Sequence, residues 1–77
     1  MREFHIIIRN FEDVQAFVAM ATVQPFRVTV CNDHQQVNGK NVMGMCSLDH
    51  SKPLLVRFEC GEEDYSRFCQ AAARFRA

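Results

Sequence analysis

Apolar residues recur with a period of two at the start of the chain, where Phe4, Ile6 and Ile8 alternate with His5, Ile7 and Arg9. Several are β-branched, and the spacing predicts a strand from Glu3 to Arg9. The period then lengthens. Val14, Phe17, Val18 and Ala21 stand at i, i+3, i+4 and i+7, with Phe11 one turn earlier, which predicts an amphipathic helix packed on a sheet. Asn10 is placed to cap that helix, and Asp13 stands at the reciprocal capping position. Glu12 and Asp13 together set two carboxylates at the positive end of the helix dipole. Thr22 to Gln24 make the exit, and Pro25 prevents continuation.

Phe26, Val28 and Val30 alternate with Arg27, Thr29 and Cys31, giving a second strand. Asn32-Asp33-His34 can turn it back into a short third strand around Gln35 to Val37, although Asn38-Gly39 is by pattern the strongest short hairpin signal in the chain. Asn41 is a good N-cap for a short helix, after which Val42, Met43, Met45, Cys46 and Leu48 follow at mixed helical spacing. Met45 and Leu48 fall on its core side, and Val42, Met43 and Cys46 mainly on the other. Gly44 costs such a helix about 1 kcal/mol relative to alanine, which points to close packing rather than propensity. Beyond the polar loop Asp49 to Pro53, Leu54, Val56, Phe58 and Cys60 alternate with Leu55, Arg57 and Glu59 in a fourth strand that Gly61 breaks. Glu62, Glu63 and Asp64 open a last helix, whose stripe of Tyr65, Phe68, Cys69, Ala72 and Phe75 reads as core through to Arg74 and Arg76 in the final turn.

The stretch Val37-Asn38-Gly39-Lys40-Asn41-Val42-Met43-Gly44-Met45-Cys46-Ser47-Leu48 resembles the serine-loop helix of HPr, the histidine-containing phosphocarrier of the bacterial sugar phosphotransferase system, and the likeness extends over nearly the whole chain. The resemblance implies an α+β fold for one domain spanning residues 1–77. It would be an HPr-like open-faced β-sandwich, a four-stranded antiparallel sheet covered on one face by three helices in the order βαββαβα. It also moves the hairpin turn to Asn32-Asp33-His34 and makes Asn38 to Lys40 the lead-in to the short helix.

The family carries phosphate on a histidine at the N-cap of its first helix, within Gly-x-His-x-Arg-Pro-Ala. Helix amides and the arginine receive the charge. Counted back without a gap from Lys40-Asn41, that histidine position falls on Asn10, the arginine on Glu12, the proline on Asp13 and the alanine on Val14. Asparagine offers no nucleophilic nitrogen of useful basicity. Two carboxylates beside a docking phosphoryl group would each repel it by about 1 kcal/mol or more. The resemblance therefore implies no carrier chemistry at Asn10. The family's regulatory serine falls on Asn41, which keeps the cap and cannot be phosphorylated. Val42, Met43 and Cys46 match the positions by which relatives dock their protein partners, and exposed valine and methionine on a short helix make adaptable contact surface.

Charge and composition narrow the classes without adding chemistry. Nine basic and nine acidic side chains cancel, which argues against nucleic acid or an anionic membrane as partner. No run approaches the ~20 apolar residues of a membrane span, and the strand-like opening does not read as a signal peptide, so a cytoplasmic protein is expected. Cys31, Cys46, Cys60 and Cys69 lack metal-ligand spacing and read as reduced, partly buried side chains, with neither metal nor cofactor expected. No nucleophile-base arrangement, paired carboxylates or phosphate-cradling loop points to an enzyme. The favoured reading is a non-catalytic binding or regulatory module related to sugar uptake. The alternatives are a phosphocarrier using His5, His34 or His50, and a self-associating structural module.

Overall fold

The computed structural model describes all residues, Met1–Ala77. Strand β1 spans Arg2–Ile6, helix α1 Phe11–Thr22, β2 Val28–Cys31, β3 Gln36–Asn38, α2 Val42–Cys46, β4 Leu54–Phe58 and α3 Glu62–Ala71, followed by a 3-10 turn at Ala73–Phe75. The four strands form one antiparallel sheet in the order β1-β4-β2-β3. Alternation along the strands sends Phe4, Ile6, Val28, Val30, Leu54, Val56 and Phe58 to a buried face, where Val14, Phe17, Val18 and Ala21 of α1, Met45 of α2 and Phe68 of α3 cover them. The fold is the α+β open-faced sandwich expected from the βαββαβα order.

Aromatic rings lock α3 to the sheet. Phe58 and Phe68 meet edge to face at 4.9 Å, and Phe4 and Phe26 each approach that pair at about 5.5 Å. Such pairs contribute roughly 0.5–1.5 kcal/mol each beyond the area they bury. Phe26 reaches this cluster by leaving the sheet, so β2 begins at Val28 instead of Phe26.

The first strand ends at Ile6 rather than Arg9 because its partner β4 begins only at Leu54, after Pro53, while the C-terminal segment pairs with the outer edge of β1. The Ile7 N–H donates to Phe75 O at 2.7 Å and the Ala77 N–H to His5 O at 3.0 Å. Ile8 stays buried outside any strand. The last helix does not run to the end of the chain either; it closes at Ala71, and the tighter 3-10 turn places Phe75 against Phe17. Likewise β4 ends at Phe58, and the Cys60 carbonyl accepts from Arg2 Nε instead of a strand partner.

The two hairpin readings are separated cleanly. Asn32 Oδ1 accepts from the N–H groups of His34 and Gln35, and the Asn32 N–H donates to Gln35 O, so the turn lies at Asn32 to Gln35. Gly39 instead extends the β2 side of the sheet, donating its N–H to Val28 O at 2.8 Å. A Cβ there would sit 2.9 Å from Val28 Cγ1. The glycine of the Asn-Gly pair is needed for close approach, not for a turn. Gly44 shows the packing expected of it, since its Cβ would meet Val37 Cβ at 3.2 Å.

The candidate site at two helix starts

Asn10 adopts extended backbone at the start of α1, and its Oδ1 accepts from the Asp13 N–H at 2.9 Å. The expected cap is present, but its reciprocal half is shifted by one residue: Asp13 Oδ2 accepts from the N–H of Arg9, at 3.0 Å, not from that of Asn10. Asp13 is buried and its other oxygen faces the Arg74 guanidinium at 3.4 Å. The helix start thus carries its own anion, held from behind by a backbone N–H and from the side by a C-terminal arginine. Glu12 adds a second carboxylate on the exposed side. Phe11, read from the pattern as part of the core stripe, is instead 55% exposed, because the first residue of the helix stands above the sheet before the packed stripe begins at Val14.

Asn41 caps α2 in a different setting. Its Oδ1 accepts from the Met43 and Gly44 N–H groups at 3.0 and 3.3 Å, at the exposed surface. Just before it, Lys40 Nζ donates to Gln24 O at 2.8 Å, tying the lead-in to the chain that leaves α1. The lysine is thereby a clamp at the negative end of α1. Asn10 stands at the start of α1, whereas Lys40, next to Asn41, reaches the chain just beyond its end.

On α2, Met45 and Leu48 face the core as expected. Met43 is 82% and Val42 37% exposed, and Cys46 is exposed beside them. Ser47 donates to Gly44 O and accepts from Gln35 Nε2, which edges this apolar face with polar groups. All four cysteines are free thiols. In the loop after α2, the Ser51 N–H holds the Asp49 carboxylate below its ordinary range. None of the three imidazoles hydrogen-bonds at the α1 cap, whose bonds are made by Asn10, Asp13, Arg9 and Arg74. His5 is exposed on β1, and His34 is exposed in the β2-β3 turn. His50 Nε2 lies 2.8 Å from Met45 O; a carbonyl only accepts, so that nitrogen donates and closes the end of α2.

Sequence reasoning found both caps and the α2 face but missed Arg9 and Arg74. The Arg9 contact is a backbone one, which no side-chain pattern encodes. Arg74 meets Asp13 across 61 residues of chain, with no local signal. Lys40 carries no signal in the sequence beyond its place in the resemblance.

No protein-family model matches the chain, and no curated protein matches it. Among solved structures, the crystal structure of HPr-C-His from Thermoanaerobacter tengcongensis is similar to it with a TM-score of 0.75 and 26% sequence identity, over 96% of this chain and 89% of that one. The architecture is therefore HPr-like, and the likeness read from Val37 to Leu48 holds at the level of the fold.

Proposed function

We propose that this chain is an HPr-like binding or regulatory module, related to the sugar phosphotransferase system of the cytoplasm, that docks a protein through Val42, Met43 and Cys46 and transfers no phosphoryl group at Asn10. The observation that carries this reading is the buried Asp13 carboxylate at the start of α1, which takes the Arg9 N–H and faces Arg74. In the family to which the fold is similar, that helix start receives a phosphoryl anion on histidine. Here the residue aligned with the histidine is a cap whose oxygen is already engaged, and the local anion is internal. A second dianionic group would meet Asp13 and Glu12 at close range. Asn41, aligned with the regulatory serine, offers a cap and no hydroxyl, while the largely exposed Met43 supports a protein contact at α2.

Incubation with phosphoenolpyruvate and Enzyme I, followed by intact-mass measurement, tests the first half. An unchanged mass is expected. An acid-labile gain of one phosphate would overturn it, and mapping that phosphate to His5, His34 or His50 would establish the carrier alternative. Light scattering tests the second half. A dimer that dissociates when Met43 is changed to Asp would make α2 a self-association surface and remove the case for a separate partner.

A further inference from the structure

The helices cover one face of the sheet, and the centre of the other is polar. Cross-strand pairing sets Glu3, Arg57 and Thr29 in one row on that open face, since Glu3 pairs with Arg57 and Arg57 with Thr29. Val28 pairs with Phe58, so the next outward positions are Arg27 and Glu59, and Arg27 is a diagonal neighbour of Arg57 on the same face. Diagonal neighbours are about 7–8 Å apart at the backbone, within reach of each other's long side chains. Between them lies a hollow of about 350 Å³ lined by Arg27, Thr29, Gln36, Arg57 and Glu59, among others. A second hollow of about 330 Å³ shares Arg27, Thr29 and Gln36 and continues to Asn38. Either volume is at the low end of the roughly 300–1,000 Å³ range of small-molecule sites.

Of the two arginines in this trough, Arg27 is unpaired and Arg57 is paired from one side only. Arg57 is rooted on the interior strand β4. Its Nε is sealed from solvent and lies 3.2 Å from Glu3 Oε2, yet off the N–H line, so that donor has no acceptor. The carboxylate steadies the guanidinium from one side, while the terminal nitrogens of the half-exposed side chain remain free. Arg27 makes no ion pair, and Glu59, the one carboxylate lining the hollow, pairs with neither arginine. The result is two guanidiniums bordering one hollow beside a hydroxyl and an amide. The planar donor fork of arginine matches the oxygens of phosphate and carboxylate two at a time.

We infer that this open-face trough binds the oxyanion group of a small molecule between Arg27 and Arg57, with Thr29 and Gln36 as further donors. Glu59 limits what the rest of the ligand can be: it favours a neutral or cationic remainder and opposes a polyanion, as does the zero net charge of the chain. Phosphate esters and carboxylates share the required chemistry. The site lies on the face away from α1 and α2, so it is independent of the docking surface proposed above.

Amide shifts of ¹⁵N-labelled protein, titrated with inorganic phosphate and separately with acetate at constant ionic strength, test the inference. Saturable shifts centred on Arg27, Thr29, Gln36 and Arg57 are expected with at least one of the two, and the tighter one identifies the group. Arg57→Gln or Arg27→Gln should weaken that binding about tenfold, with the rest of the spectrum unchanged. Thr29→Val, which leaves the charges in place, should weaken it less. Shifts that stay linear with both anions, that are the same in the arginine variants, or that centre on Asn10 to Asp13 would overturn the site. Pull-down through α2 should be unaffected by Arg57→Gln, so this test and that of the docking surface fail separately.

Discussion

Two helices of this protein begin on an asparagine, and the two beginnings differ in what stands behind the cap. At α1, the cap is backed by a buried carboxylate that takes a backbone N–H and faces an arginine from the far end of the chain. At α2, the cap is exposed, accepts two amides, and is followed at once by exposed apolar residues. The same residue thus closes one helix end inward and leaves the other free for contact. An N-cap alone therefore says little about function; what decides is whether the donors and charges around it are already satisfied within the fold.

The α2 end owes its position to Gly39, and the sharpest way to break the comparison is to put a side chain there. A Cβ would lie 2.9 Å from Val28 Cγ1, 3.1 Å from Val30 Cγ2 and 3.3 Å from Val28 O. Gly39→Val forces these groups of the buried strand apart and should cost about 3 kcal/mol of stability by urea denaturation. A variant within a few tenths of the parent would show that the lead-in to α2 is not held by this approach.

The next largest effect belongs to the closed end. Asp13→Ala leaves the Arg9 N–H without its acceptor and the Arg74 guanidinium without its carboxylate, and should cost about 2 kcal/mol. Asp13→Asn keeps an acceptor and should cost less. The pair also sharpens the functional reading. With Asp13 removed, a phosphoryl group docking at position 10 would meet one negative charge fewer, so Asn10→His should accept more phosphate from the phosphoenolpyruvate-driven donor in the Asp13→Ala background than with Asp13 intact. Equal phosphorylation of Asn10→His with Asp13 intact would show that the carboxylate does not guard the site.

Much of this contrast is legible in the sequence. Spacing gave the periodic elements, and the Asn10 and Asn41 caps follow from residue type and position. Local pattern falls short where a long-range contact outweighs it. Asn38-Gly39 is the best hairpin dipeptide in the chain, yet Val28 O claims the Gly39 N–H and the turn forms at Asn32, where the family resemblance places it. Ile7 to Arg9 continue the strand period, but β4 begins at Leu54 after Pro53 and offers them no partner, while the C-terminal segment meets only His5 to Ile7 on the outer edge of β1. Phe11 matches the helical stripe and still faces solvent, because periodicity gives the side of a helix and not how far along it the packing extends. Arg74 is the clearest limit: only the fold brings it to Asp13.

Removing the caps one at a time should give smaller and nearly equal losses. Asn10→Ala and Asn41→Ala are each expected to cost about 1 kcal/mol, and replacement by serine, which also caps, only a few tenths. Unequal losses would be informative: a much larger cost at Asn10 would show that Asp13 depends on the cap to stay buried, whereas a larger cost at Asn41 would show that α2 depends on its cap more than on Met45.

The smallest expected effect on the fold tests the open end most directly. Met43 is 82% exposed and touches little of the core, so Met43→Asp should change stability by no more than about 0.5 kcal/mol. It also places a charge in the middle of the apolar face formed with Val42 and Cys46, where a docking protein would have to desolvate it. Capture of a protein partner by the parent and its loss in this stable variant would assign the face to binding. Undiminished capture would move the contact elsewhere, and a drop in stability of more than 1 kcal/mol would show that the side chain belongs to the packing of α2 and that its exposure is not evidence of a surface kept for a partner.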